Sequence, residues 1–336
     1  MGSTSYSGMD KISSKSYESL YASRVASSPT NSKIFTHTSA IRAGYRPIEV
    51  HERIDPSKIK DSKIGKRESR DSDATHNSNA IAVLFDVTGS MFNIPVVLQT
   101  KLAKLMSTIL ARNVVSDPQI LFGAIGDATC DKIPFQVGQF ESDLAMDEDL
   151  DKFYLEGGGG GQNTESYELG LYFLARLTSI DCYEKRGKKG YAFIIGDERA
   201  YDKVKASEVK RVFGIDIGED IPLQTIVDEV KEMYDVFFIV PTNASWGTKN
   251  KNFWVELFGQ NVLEIENPDL ICETIVTAIG MAEGVINSVY DVAYELELDV
   301  ESANVVDRAL SKYSGGKLSV ATVSGDLGTD KDDELE

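Results

Sequence analysis

Between residues 80 and 284 the chain alternates two hydrophobic patterns: short unbroken apolar runs, and longer segments in which apolar residues recur at three- and four-residue steps. Ala80–Phe85 is a run of strand length with no polar interruption, the pattern of a parallel strand buried on both faces. Pro95, at a first helical position, opens a segment in which Ile94, Leu98, Leu102, Leu105 and Ile109 fall on one helical face. Ile120–Ile125 reads as a second buried strand and Phe135–Phe140 as a shorter edge strand. A helix over Glu165–Leu177, a strand over Tyr191–Ile195, a helix over Pro222–Met233 and a strand over Val236–Val240 follow. Asn250–Phe258 then reads as helix, Val262–Ile265 as strand and Pro268–Glu283 as helix. Regular strand–helix alternation predicts an α/β domain with a doubly wound, mostly parallel sheet flanked by helices.

The flanks have a different texture. Residues 1–79 are Ser-rich, and residues 55–79 hold almost nothing apolar, the composition of an extended arm and linker. Between residues 33 and 55, Ile34, Phe35, Ile41, Tyr45, Ile48 and Val50 are apolar enough to lie against something; the plainer reading is a loose tail, the other an arm held by a neighbouring subunit. Beyond Gly284 the periodicity weakens. Val285–Leu298 fits helix or strand, Glu301–Tyr313 fits helix, and Asp326–Glu336 is an acidic tail, so residues 285–336 read as a C-terminal appendage.

Charge is distributed unevenly over the 336 residues. Residues 1–79 carry 13 basic and 9 acidic side chains, whereas residues 80–336 carry 22 and 44, a net charge of −22. So acidic a surface repels phosphate backbones, which disfavours nucleic acid as the primary partner and favours divalent cations or basic protein surfaces. Cys130, Cys182 and Cys272 are widely spaced and read as reduced thiols. No apolar run approaches the ~20 residues of a membrane span, and the N-terminus shows no secretion signal, so a cytoplasmic location is expected. Tyr6 breaks a myristoylation pattern at Gly2, and the Asn243-Ala-Ser245 sequon has no secretory route to make it meaningful.

Open parallel sheets place ligands at the carboxyl ends of their strands. Three loops sit there with oxygen ligands suited to a metal. In Asp86-Val87-Thr88-Gly89-Ser90-Met91, one carboxylate and the Thr88 and Ser90 hydroxyls can converge while Gly89 lets the backbone bend. A few hard oxygen ligands with positions left for water suit magnesium. Gly157–Gly161 runs into Gln162-Asn163-Thr164 at a helix start, and Gly196-Asp197-Glu198 directly follows a predicted strand. The competing reading is that Asp86 and Ser90 only cap the next helix.

These three loops, in this order, resemble those of a von Willebrand factor A-type domain over roughly residues 80–284. The resemblance implies a metal-ion-dependent adhesion site with Asp86, Thr88, Ser90, Thr164 and Asp197 around one divalent ion, magnesium or else calcium or manganese. Thr88 stands where most members carry Ser, a spelling seen in intracellular members. The five-glycine run replaces a shorter second loop, leaving Gln162, Asn163 and Glu165 as rivals to Thr164. Gly126-Asp127 and Asp131 resemble acidic positions of intracellular relatives, although a solvated loop is the plainer reading there.

Other chemistry is poorly supported. No Gly-Lys-[Ser/Thr] follows the glycines, so they are not a nucleotide cradle. The three histidines, His37, His51 and His76, all fall in the N-terminal stretch, which argues against zinc or histidine catalysis. Lys185, Arg186, Lys188 and Lys189 read as a loop cluster that could mark a contact. Trp254 reads as core, and Trp246, among small polar residues, as a candidate exposed anchor. The expectation is therefore a non-enzymatic module whose metal is completed by an Asp or Glu from a protein partner. The resemblance loosely implies a larger assembly, including one beside a ring-forming ATPase of the MoxR kind. The alternatives are a structural subunit whose N-terminal arm laces neighbours together, and a magnesium-dependent phosphotransfer or hydrolytic enzyme using Asp86.

Overall fold

A computed structural model describes residues 35–315, apart from 74–75, 92, 144, 158–162 and 245 and the side chains of Ser90 and Ala103. The Ser90 hydroxyl, most of the five-glycine run, Gln162 and the acidic tail lie outside the described residues. Six strands form the central sheet: β1 (Ser78–Asp86), β2 (Asp117–Ile125), β3 (Phe135–Val137), β4 (Gly190–Ile195), β5 (Tyr234–Pro241) and β6 (Val262–Ile265). Their order across the sheet is β6-β5-β4-β1-β2-β3, and every neighbouring pair is parallel except the edge strand β3. This is the doubly wound arrangement expected from the alternating pattern. The chain leaves β1 toward one edge, then returns through β4 to build the other half.

All nine residues of β1 are buried, because the pleat sends successive side chains into two different cores. Ile81, Val83 and Phe85 join one core with α1 (Ile94–Ala111) and α5 (Ile271–Ala282). Ala80, Ala82 and Leu84 join the other with α2 (Tyr167–Arg176), α3 (Leu223–Met233) and α4 (Gly247–Phe258). The five α1 residues predicted to share a face, Ile94, Leu98, Leu102, Leu105 and Ile109, all lie in the first core. In the second, Trp254 is fully buried and stacks on Phe238 at a centroid distance of 3.8 Å.

The flanks depart from their composition. Rather than reaching toward a neighbour, the arm packs on its own domain from Phe35 onward. Thr36–Arg42 is a helix whose Thr38 hydroxyl donates to Phe153 O (2.8 Å) and accepts from Leu155 N (2.9 Å). Ile54 and Ile59 are fully buried, and Arg67–Ser69 adds a short parallel strand to Thr178–Ile180. Basic residues of the arm neutralise acids of the domain: Arg53 pairs with the buried Asp149, and Arg70 with Asp181 at 2.7 Å. The uneven charge read from the sequence is thus partly cancelled inside the molecule.

The segment after Gly284 is likewise no appendage over its described part. Ile286, Val289, Val292 and Leu296, on a 3-10 turn and irregular chain, join α6 (Val300–Leu310) in filling the α1/α5 core. Lys185 and Arg186 lie on a short helix, Asp181–Arg186, rather than in a loop, and their charges are answered internally by Asp181 and Asp71. Lys188 pairs with Glu283 at 2.6 Å. Cys182 and Cys272 are buried thiols, and among the described residues no single helix is long and apolar enough to cross a membrane.

Burial raises the Asp149 carboxyl above its ordinary value, and Arg53 opposes that rise by favouring the charged form. Removing Arg53 leaves the Asp149 charge with only the Gln139 N–H and the more distant Arg67 to offset it. Arg53→Gln is expected to destabilise the fold by about 1 to 3 kcal/mol at pH 7.5, since Arg53 is itself partly exposed. The loss should shrink as pH falls through the raised Asp149 value, where the folded state takes up the proton before the unfolded one does. Urea unfolding at pH 7.5 and pH 4.5 checks both the size and the sign.

Candidate metal centre

Strands β1 and β4 are neighbours across the point where the sheet reverses its winding, and both end at this rim. Asp86 is the last residue of β1, and Asp197 and Glu198 follow β4 after Gly196. One ligand oxygen from each of Asp86, Asp197 and Glu198 lies within 4.8 Å of the other two. Their exposures are 0%, 1% and 5%, so the three carboxylates meet inside the protein.

Several contacts hold them there. Asp86 Oδ1 accepts from Thr88 N (2.6 Å) and Oδ2 accepts from the Tyr167 hydroxyl (3.0 Å). Tyr167, at the start of α2, passes directly over Gly196: a Cβ at that position would sit 2.0 Å from its hydroxyl oxygen. Glycine is required here by close approach. Asp197 Oδ2 accepts from Trp246 N (3.1 Å), and its carbonyl accepts from Asn250 Nδ2 (2.9 Å). Asn250 also exchanges hydrogen bonds with Asn163, and Trp254 Nε1 donates to Glu198 O (2.8 Å). The beginning of α4 is therefore a bracket for the third loop. A two-residue parallel ladder, Thr164–Glu165 with Arg199–Ala200, ties the second loop to the third.

Electrostatics makes the arrangement demanding. Burial raises the Asp86 carboxyl above its usual range, and the charge of Asp197 adds to the rise. Glu198 is raised by burial and by the charge of Asp86, and Glu165 by burial and the same neighbour. Two unit charges 4.8 Å apart repel by about 3 to 4 kcal/mol at an effective dielectric of about 20. Three ionised carboxylates at that spacing need compensation from protons or from a cation. Two buried oxygens are left for such a cation. The Thr88 hydroxyl and Glu198 Oε2 complete no well-shaped hydrogen bond, although Thr88 lies near enough to favour charged Asp86 and Glu198 near enough to share a proton with Asp86 or Asp197. A hard divalent ion suits this set of carboxylates and a hydroxyl.

Of the five residues singled out from the sequence, Asp86, Thr88 and Asp197 share this centre. Thr164 is held beside the third loop by the ladder, with its side chain next to the Tyr201 hydroxyl. Ser90 occupies a 3-10 turn, Gly89–Met91, but its side chain lies outside the described residues. The helix-cap alternative is not what Asp86 does: its bond to Thr88 N closes the turn, while α1 starts only at Ile94 behind Asn93. Glu198, named in the sequence only as part of the third loop, joins Asp86 and Asp197 in the cluster. Asn250 had a signal, a polar residue four and eight positions before Trp254 and Phe258 on an otherwise apolar face. Asp127 and Asp131 form a separate group, in which the Tyr201 hydroxyl donates to Asp127 (3.1 Å) and Asp127 N donates to Asp131 Oδ2 (2.7 Å).

The close pass of Tyr167 over Gly196 can be tested directly. Gly196→Ala should push the phenol off Asp86 and cost about 1 to 3 kcal/mol by overpacking, whereas Tyr167→Phe keeps the ring and removes only the donor. Thermal unfolding should rank wild type above Tyr167→Phe and Tyr167→Phe above Gly196→Ala.

Comparison with known proteins gives a fold-level likeness. No protein-family profile matches the chain, and no curated protein matches it. Solved structures with a similar course include the open conformation of the pilus adhesin SpaC from Lactobacillus rhamnosus GG. It is 10% identical with a TM-score of 0.40, covering 64% of this chain and 31% of that one. Proximal thread matrix protein 1 from the mussel byssus is 11% identical with a TM-score of 0.41, covering 65% and 49%. A von Willebrand factor type A protein from Catenulispora acidiphila is 14% identical with a TM-score of 0.36, covering 62% and 44%. The likeness thus spans less than half the length of each of these chains.

Proposed function

We propose that this chain is a non-enzymatic protein-binding module built around one divalent cation, magnesium or a similar hard ion. Asp86, Asp197 and Glu198 would hold the ion, with the Thr88 hydroxyl beside them and Ser90 and Thr164 on the loops that close around it. The observation that carries this reading is the meeting of three buried carboxylates within 4.8 Å of one another at the winding reversal of the sheet. Bound there, the ion would supply a point of positive charge on an otherwise acidic domain. A partner's Asp or Glu would complete its coordination, giving adhesion that depends on metal. The residues of the centre serve to position and to compensate. Tyr167 and Thr88 N orient Asp86, and Trp246 N and Asn250 fix the third loop.

Two measurements test this. Adding magnesium or manganese at about 100 times the dissociation constant should stabilise the protein by about 2.7 kcal/mol, raising the melting temperature by roughly 4 to 5 °C. Chelator should reverse the rise. Asp86→Asn keeps the shape of the carboxylate and removes one of the repelling charges. That variant should match or exceed the melting temperature of the cation-free wild type and show no response to metal. A cation response that survives in Asp86→Asn, or wild type that ignores both ions, overturns the assignment.

A further inference from the structure

Two cations stand at the rim of this acidic centre without a carboxylate partner among the described residues. Arg199, next in sequence to Glu198, is exposed, and its guanidinium carbon lies 4.5 Å from the centroid of the Phe253 ring. Lys249 is exposed, and its Nζ lies 4.5 Å from the centroid of Trp246. Their neighbours behave differently: Lys203 pairs with Asp220, Lys205 with Glu208 and Lys251 with Glu264. On a domain of net charge −22 carboxylates are plentiful, so a cation that rests on a ring instead is still available to an acid from outside.

Both cations are tied to the centre by backbone. Arg199 is the ladder partner of Thr164, and the Trp246 N–H that carries the Lys249 platform donates to Asp197 Oδ2. Lys249 and Phe253 are four residues apart on α4, so the two cation–ring pairs run along one side of that helix, about one turn apart. Stacking on an aromatic face restrains a long side chain while leaving donors free.

We propose that Arg199 and Lys249 form a recognition rim for an acidic segment of the partner. One carboxylate of that segment goes to the cation centre, and a second, a few residues away, goes to the rim. The proposal rests on the cation-centre reading given above and adds the chemistry of the partner: a locally acidic peptide rather than a single isolated acid. The net negative charge of the chain opposes such a segment elsewhere, which favours binding where these two cations stand.

The test uses the full chain with manganese and three fluorescent peptides in a Gly/Ser background. One carries two glutamates three residues apart, one carries a single glutamate, and in the third both are glutamine. The two-glutamate peptide should bind about 2- to 5-fold tighter per rim cation than the single-glutamate peptide, and this advantage should fall with added salt. In the Arg199→Gln/Lys249→Gln variant the advantage should vanish, while the single-glutamate peptide loses less affinity than the two-glutamate peptide does. An advantage that persists in the double variant, or no advantage in wild type, overturns the rim. Asp86→Asn and chelator report on the centre separately. If they leave single-glutamate binding intact while the double variant still loses the advantage, the rim stands and the cation reading fails. If wild type binds neither glutamate peptide up to millimolar concentration, both fail.

Discussion

Repulsion among Asp86, Asp197 and Glu198 is the constraint to which the surrounding structure is fitted. Three acids inside a protein are tolerable only where something offsets their charge, and the loops around them hold them together rather than letting them spread. Tyr167 leans on Asp86 across a position that only glycine can occupy, and Asn250 and Trp254, one turn apart on α4, grip both ends of the Asp197–Glu198 step. A chain free to relax would separate these groups. Their confinement is bought by the stacked aromatics beneath them, in which Trp254 lies against Phe238 and edge-on to Tyr167.

The location follows from topology. Where the winding reverses, the connections leaving two adjacent parallel strands diverge to opposite faces of the sheet and leave a crevice at the carboxyl ends. Here those strands are β1 and β4, so the first and third loops meet there by construction, and the Thr164–Arg199 ladder draws in the second. The same geometry sets Arg199 and Lys249 at the edge of the crevice instead of among the many internally paired cations of the surface.

How much of this was legible in the sequence depended on the range of the interaction. The buried strands and the α1 face were readable because their patterns are local: an unbroken apolar run needs two cores, and a 3.6-residue period needs one packed side. Asp86, Thr88 and Asp197 were readable because strand ends are where oxygen ligands gather. Glu198 was not, because its convergence with Asp197 depends on a bend after Gly196 held by Trp246 and Asn250, contacts some fifty residues away. The arm was misread for a related reason. Ser, Lys and Asp dominate residues 55–79, yet single apolar residues such as Ile59 and charges matched to distant acids hold it in place, and composition averages over such isolated anchors.

The N-terminal wrap also changes what counts as the smallest folding piece. A cut just before β1, which the hydrophobic pattern invites, would uncover the core residues beneath Ile54 and Ile59, remove the strand beside Thr178–Ile180 and leave Asp149 and Arg186 without their counterions. An excised sheet domain of that kind would present an unpaired strand edge and a row of stranded charges, the features that make fragments stick to one another. Any shortened version of this chain should therefore begin ahead of Phe35.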